Sequence, residues 1–354
     1  MTYNTDSQVG DSGACATALL CGVKGRFETV GLDDSARYDK CQSSFNSRIP
    51  CLADWAQAEG KSTGLVTTTR VTHATPAAMY SHSASRYWES DGKIPKEDRA
   101  ECKDIARQLV EDDPGRNINV ILGGGRGNFL PGKKKESEMW TEMGRGRIDH
   151  SHHFNNAHRA LEDTLALEDA VITALEMTRP DDTLLVVTSD HSHVFAFGGT
   201  PKRGNPILGL DNKESDVDNM PYTTLLYANG PGYNRNFPTG RENLSSTDTE
   251  DINYVQQSAV PRRWDTHGGE DVPVYAHGPM AHLFRGVLEQ TYIPHAMAYA
   301  ACIGHHRDDC ERRRRHAFHR QVIDCPSPHV ESSTRMTSYD LFLLWLMVIG
   351  LLIR

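Results

Sequence analysis

Leu184-Leu185-Val186-Val187-Thr188-Ser189-Asp190-His191-Ser192-His193 is the stretch that decides the fold class. Its first five residues are apolar or β-branched and predict a strand buried on both faces, as inside a parallel sheet covered by helices. The polar cluster follows at once, so Asp190 and His191 stand at the carboxyl end of that strand, where parallel α/β sheets assemble their sites. Outward from this stretch, Leu65-Val66-Thr67-Thr68-Thr69 and Val120-Ile121-Leu122 read as two further strands buried on both faces. Tyr222-Thr223-Thr224-Leu225-Leu226-Tyr227 reads as a fourth. Between the strands lie amphipathic stretches. In Ala157–Met177, Leu161, Leu165, Ile172 and Leu175 recur at helical spacing, with Glu162, Asp163 and Glu176 on the other side. Residues 49–59 form a second helical pattern. The alternation predicts an α/β fold with a mainly parallel central sheet and helices on both faces. Gly123-Gly124-Gly125, residues 201–209 and Gly230-Pro231-Gly232 mark loops. Residues 131–145 follow neither period and read as a seam, near 133–145.

The 354 residues are 38% hydrophobic and 24% charged, enough apolar material for one large core or two smaller ones. A formal net charge of −9 argues against a nucleic-acid partner, which is gripped through clustered Lys and Arg. The one basic run, residues 312–315, reads as a solvated loop. Seventeen histidines raise the prior for metal, because several stand in tight groups such as His150, His152 and His153. Eight cysteines are too few for a disulfide scaffold.

Residues 1–10 are polar and contain no secretory signal, whereas residues 341–353 are unbroken apolar sequence. That run is shorter than the ~17–25 residues that span a bilayer. It follows a polar spacer and the small residues Ser332, Ser333 and Thr334, the order that a GPI transamidase reads. Residues 326–354 are therefore expected to be spacer and removed anchor signal, placing the protein on the outer leaflet of the plasma membrane. A short amphiphilic tail is the alternative. Asn243-Leu244-Ser245 is a glycosylation acceptor in keeping with an extracellular site. An anchor signal without a leader predicts that a segment upstream of Met1 is missing from this sequence.

Asp11-Ser12-Gly13-Ala14-Cys15 puts Ser12 ahead of small, helix-favouring residues, hence at a helix start, where free N–H groups and the dipole favour phosphate and an alkoxide. An ordinary N-cap serine is the competing reading on this segment alone. Asp149 and His153 stand four apart, on one helix face. With His267 they give the one-carboxylate, two-imidazole set of a catalytic zinc. Asp190 and His191 add a second pair. Arg86, downstream of Val71-Thr72-His73-Ala74-Thr75, is a candidate phosphate clamp, because its planar guanidinium can hold two oxygens at once.

In these stretches, and in Gly123-Gly124-Gly125-Arg126, Gln257-Ser258-Ala259-Val260-Pro261 and residues 278–283, the chain resembles an animal-type alkaline phosphatase over nearly its whole length. The resemblance implies a phosphatase domain over 1–325 that hydrolyses small phosphate monoesters through a phosphoserine at Ser12, with Arg86 on the phosphate. It implies two zinc ions and one magnesium ion: Asp149, His153 and His267 on the first zinc, Asp190 and His191 on the second, Thr75 on magnesium. His73 and His193 would stand just behind the ligands. It further implies a homodimer, a Cys41–Cys102 disulfide and a Cys302–Cys310 disulfide, leaving Cys15, Cys51 and Cys325 unassigned.

Two departures bear on activity. Relatives begin upstream, with a strand that brings an Asp shared by the second zinc and magnesium, and they carry a block between Lys135 and Arg145 that includes a calcium site. The magnesium glutamate of the family falls at Gly144 here, with Glu142 two residues earlier as a candidate substitute. Weak or absent activity is the expectation. A catalytically dead metal-binding surface protein, and a related two-metal phosphodiesterase or sulfatase, are the other classes considered; the retained Ser12, Arg86 and zinc ligands favour the monoesterase.

Overall fold

The computed structural model describes residues 1–130, 148–233, 240–309, 312, 342–347 and 350–353. Its largest sheet has six strands in the order β2-β1-β10-β11-β3-β9. These are β1 (Ser62–Arg70), β2 (Val120–Gly124), β3 (Leu184–Thr188), β9 (Val274–His277), β10 (Phe342–Met347) and β11 (Gly350–Ile353). β1 pairs parallel with both β2 and β10, whereas β10 with β11, β11 with β3, and β3 with β9 are antiparallel. Followed across the sheet, β2, β1, β10 and β3 share one direction and β11 and β9 oppose it. The α/β class stands, but the sheet is mixed where a mainly parallel one was expected: two of its five pairings are parallel and three antiparallel.

The apolar C-terminal run supplies β10 and β11, which lie between β1 and β3. Ser62 is in register with Phe342, and Ile353 with Leu184. No helix among the described residues is long and apolar enough to cross a membrane.

Seven α-helices are described. α1 (Ser12–Cys21), α2 (Leu52–Ala58) and α7 (Tyr292–Ala301) gather with β1 and β3 around the main core, where Leu19, Leu20, Leu65 and Ile105 are fully buried. Each such side chain contributes roughly 1.5–3 kcal/mol by leaving water. α3 (Ala74–Ala77) packs against α1, and α4 (Ile105–Glu111) brings Ile105 and Leu109 to the same core. α5 (Ile148–His153) and α6 (Ala157–Met177) follow one another. Two small sheets complete the frame: β4 (Ser192–His193) with β8 (His267–Gly268), and β5 (Phe195–Phe197), β6 (Leu225–Gly230) and β7 (Ser258–Pro261).

Two burial expectations are corrected. Ile121 and Leu122 on β2 are exposed, since β2 is an edge strand that no helix covers among the described residues. On α6 only Ala157 and Ala160 are buried, while Leu165, Ile172 and Leu175 face solvent. Its first turn packs on Leu225 and Tyr227 of the small sheet, and the rest of its apolar stripe runs past that sheet. The fourth strand starts later than expected, at Leu225.

Cys41–Cys102 is formed. Cys51, unassigned from sequence, pairs with Cys21 and ties the end of α1 to the start of α2. Cys302 is disulfide-bonded, and Cys310 and Cys325 lie outside the described residues. Cys15 is a buried free thiol.

Candidate active site

α1 starts at Ser12, and the residue that caps it is Asp11. Asp11 Oδ2 accepts from Gly13 N (2.9 Å) and Oδ1 from Ala14 N (3.4 Å), which satisfies N–H groups that the helix leaves unpaired. The N-cap reading of Ser12 is thus set aside. Its hydroxyl is free of capping and lies 3.0 Å from His191 Nε2, buried at the positive end of the helix. The far end closes on Gly22 at φ 75°, where the left-handed conformation suits glycine and a Cβ would run into His295.

α5 carries Asp149 and His153 on one face, with His153 Nε2 3.2 Å from Asp149 Oδ1. The pairing of β4 with β8 sets His193 directly opposite His267. Asp149 Oδ1 is 2.9 Å from His193 Nε2 and 3.4 Å from His267 Nε2. The ligand atoms of these four residues all lie within 4.8 Å of one another. His193, expected just behind the ligands, therefore reaches the same carboxylate oxygen as the expected ligands do.

The outer nitrogens explain the inward ones. His153 Nδ1 faces the carbonyl of Asp265 (3.0 Å), and His267 Nδ1 faces that of Gly10 (2.7 Å). A carbonyl only accepts, so each Nδ1 carries a proton and each Nε2 is turned inward. Nε2 of His153 and of His267 are 3.3 Å apart beside a carboxylate. Ring nitrogens so placed call for a proton or a cation between them, and one carboxylate with three imidazoles suits a borderline divalent metal. The electrostatics agree. Burial raises the Asp149 carboxyl, yet His153 and the hydrogen bonds from His153, His193 and His267 hold it well below the usual range. Burial lowers His153, but Asp149 and Asp265 overcome it and bring it to about 10.

Asp190 and His191 follow β3 as expected. Thr75 Oγ1 lies 3.5 Å from Asp190 Oδ2, and His191 Nε2 lies 3.5 Å from the same oxygen. Burial, reinforced by the charge of Asp149, pushes Asp190 up to about 6, while burial and then His267 push His191 well down. Arg86 Nη1 donates to Asp11 Oδ2 (3.2 Å), and its Nη2 lies 3.4 Å from His73 Nε2. Arg86 is thus anchored on the residue that caps the Ser12 helix. Asp11, Arg86, Asp149, His153 and His267 line a cleft of about 1630 Å³, with Tyr87 and Trp264 also on its wall.

Every expected site residue that is described converges here. Glu142 lies outside the described residues. The sequence reading missed Asp11, which joins the helix cap to Arg86, and Asp265, which contacts two histidines from behind. For Asp11 the signal was present, a capping residue directly before a candidate nucleophile.

Fold and site together define the class, an α/β protein with a buried serine beside a cluster able to hold metal. The family model for alkaline phosphatase matches residues 1–147 and 143–303, two pieces that overlap at residues 143–147. Tissue-nonspecific alkaline phosphatase of Gallus gallus is 42% identical over 408 aligned positions, covering 89% of this chain and 78% of that protein. The Homo sapiens counterpart is 39% identical, with 87% and 76% covered. A mutant of the TAB5 alkaline phosphatase with Mg bound in its M3 site superposes with a TM-score of 0.56 at 20% identity, covering 86% of this chain and 87% of that one, a likeness of fold. The chain belongs to the alkaline phosphatase family and is a phosphoric monoester hydrolase.

Proposed function

We propose that the chain cleaves small phosphate monoesters by double displacement through Ser12. The observation that carries this reading is the Ser12 hydroxyl at the start of α1, 3.0 Å from His191 Nε2. Asp149, His153 and His267 would hold one zinc ion, and Asp190 and His191 a second. Thr75 would serve a magnesium ion, with Glu142 as a further candidate ligand. When bound, such ions stabilise charge on the attacking and leaving oxygens as Lewis acids.

The protein's own groups do the rest. Arg86 presents parallel N–H donors that match two phosphate oxygens, and its tie to Asp11 fixes where the phosphorus lies relative to Ser12. Ser12 loses its hydroxyl proton to water, and its oxygen bonds to phosphorus as the bond to the ester oxygen breaks. The departing alkoxide takes a proton from water. A water oxygen then bonds to the same phosphorus, the bond to Ser12 Oγ breaks, and inorganic phosphate leaves with the serine restored.

Weak activity is part of the reading, because Gly144 stands where the family carries its magnesium glutamate. Hydrolysis of p-nitrophenyl phosphate at alkaline pH, with zinc and magnesium added, tests both statements. Slow turnover, lowered about 10³-fold or more by Ser12→Ala, with a phosphoryl group recovered on Ser12 by mass spectrometry, is the expected result. Undiminished hydrolysis by Ser12→Ala sinks the serine route. Full activity abolished by chelation overturns the claim of weakness.

We further propose an extracellular, GPI-anchored homodimer. The small-residue triplet and apolar run at the C-terminus support the anchor, and the exposed side chain of Asn243 supports glycosylation. On this reading β10 and β11 belong to the chain before the anchor is attached. Surface activity that resists a phosphatidylinositol-specific phospholipase would sink the anchor, and a monomer on size-exclusion chromatography the dimer.

A further inference from the structure

Asp265 has no contact with Ser12 or Arg86 and no assigned role, yet its side chain is 0% exposed in the wall of the cleft. It lies on the outer side of two imidazoles whose inner sides meet at Asp149. Its Oδ1 is 3.2 Å from His153 Nδ1 and 3.2 Å from His193 Nδ1, and Oδ2 is 3.3 Å from His193 Nδ1. Its backbone closes the arrangement, with Asp265 N donating to His153 O (3.0 Å) and Asp265 O facing His153 Nδ1 (3.0 Å). The carboxylate can only accept, so it holds a proton on Nδ1 of both rings and leaves both Nε2 atoms as the ones that could bind a metal in the site. On the opposite side, Asp149 Oδ1 receives those Nε2 atoms at 3.2 and 2.9 Å. A buried carboxylate behind a histidine fixes tautomer and ring orientation and raises the basicity of the inner nitrogen.

We propose that Asp265 is a positioning residue that locks His153 and His193 in one tautomer and thereby sets the metal affinity of the group formed with Asp149 and His267. The inference rests on the reading of that group as a metal centre. It deepens that reading by making one carboxylate answer for two rings. Asparagine in its place lacks the charge, and its NH₂, standing where Oδ2 now is, meets His193 Nδ1–H head-on.

The experiment uses the full chain, with zinc affinity measured by competition against a chelator of known strength. Asp265→Asn is expected to weaken zinc binding about 10–100-fold, and Asp265→Glu, which keeps the charge, to recover most of the loss. Equal affinity of wild type and Asp265→Asn overturns the proposal. Nitrogen-15 NMR of the imidazoles gives a readout that does not need the variant to fold. In the zinc-loaded wild type both rings should carry the proton on Nδ1, and a neutral Nε2–H form of either ring overturns the assignment. A wild-type chain that binds no zinc removes the metal-centre reading itself, and its metal-free spectrum, taken at a pH where both rings are neutral, still tests the lock: Nδ1 of both rings protonated supports the selection by Asp265, and an unprotonated Nδ1 on either ring overturns it.

Discussion

Glu89 is buried away from the cleft group and gathers four donors. Arg70 reaches its Oε2 at 2.7 Å and Lys93 its Oε1 at 2.9 Å, while Thr72 and Asn128 also bond to Oε2. Burial raises this carboxyl, but Arg70 and then Lys93 outweigh it, and the net shift is downward. A carboxyl lowered on folding adds stability that is fully present above its unfolded value, near pH 4.5, and fades as pH falls through the folded value. Glu89→Gln should therefore cost about 2–3 kcal/mol at neutral pH, below the usual cost of breaking a fully buried pair because Arg70 and Lys93 are partly solvated. Urea denaturation at pH 7 and again below pH 4 should show the gap closing; a gap independent of pH would mean that the charge is not what stabilises. Residues of this kind were hard to read in the sequence, for a reason that Asp265 shares. Ser12, Asp149, His153, Asp190 and His191 betray themselves through neighbours along the chain. Asp265 acts on rings 72 and 112 positions away, from the side that no local pattern marks.

Helix α6 shows what periodicity can and cannot say. Its spacing gave the element with the right ends, and Asn156 caps it by accepting from Arg159 N at 2.9 Å. The stripe itself says only which face could be covered. Leu165 is 55% exposed and Ala160 1%, so the boundary between packed and open helix falls within its second turn. Leu165→Lys should then change stability by less than about 0.5 kcal/mol, and Ala160→Asp, which buries an unpaired charge, should cost about 3 kcal/mol or more. Chemical denaturation of both variants checks the placement. A core-sized penalty at Leu165 would mean that another surface covers the stripe in solution. β2 teaches the same lesson, since its apolar residues sit on an edge with no covering element described. β3 was read correctly because it lies inside the sheet, whereas β1, also inside, buries Leu65 and Thr67 but leaves Thr68 exposed.

At the scale of the molecule, the central sheet is continuous only because β10 and β11 bridge β1 and β3. Nothing in the local pattern of an apolar C-terminal run distinguishes an anchor signal from a strand pair. That depends on whether the rest of the chain leaves two sheet edges open. Each of the bridging strands is paired on both sides, and Leu344 lies in register with Leu352. A proline there removes a backbone donor from an interior strand. In the uncleaved chain, Leu344→Pro should cost about 2–3 kcal/mol and shift the protein toward aggregates on size-exclusion chromatography; an unchanged denaturation midpoint would show that the run does not sit in the sheet. The same topology sets a schedule for synthesis. β3 ends at Thr188 and β10 begins at Phe342, so at ~5–20 residues per second the ribosome needs about 8–30 s to deliver the bridging pair. For that interval β1 and β3 present bare edges to the cell, and the nascent chain depends on whatever chaperone shields them.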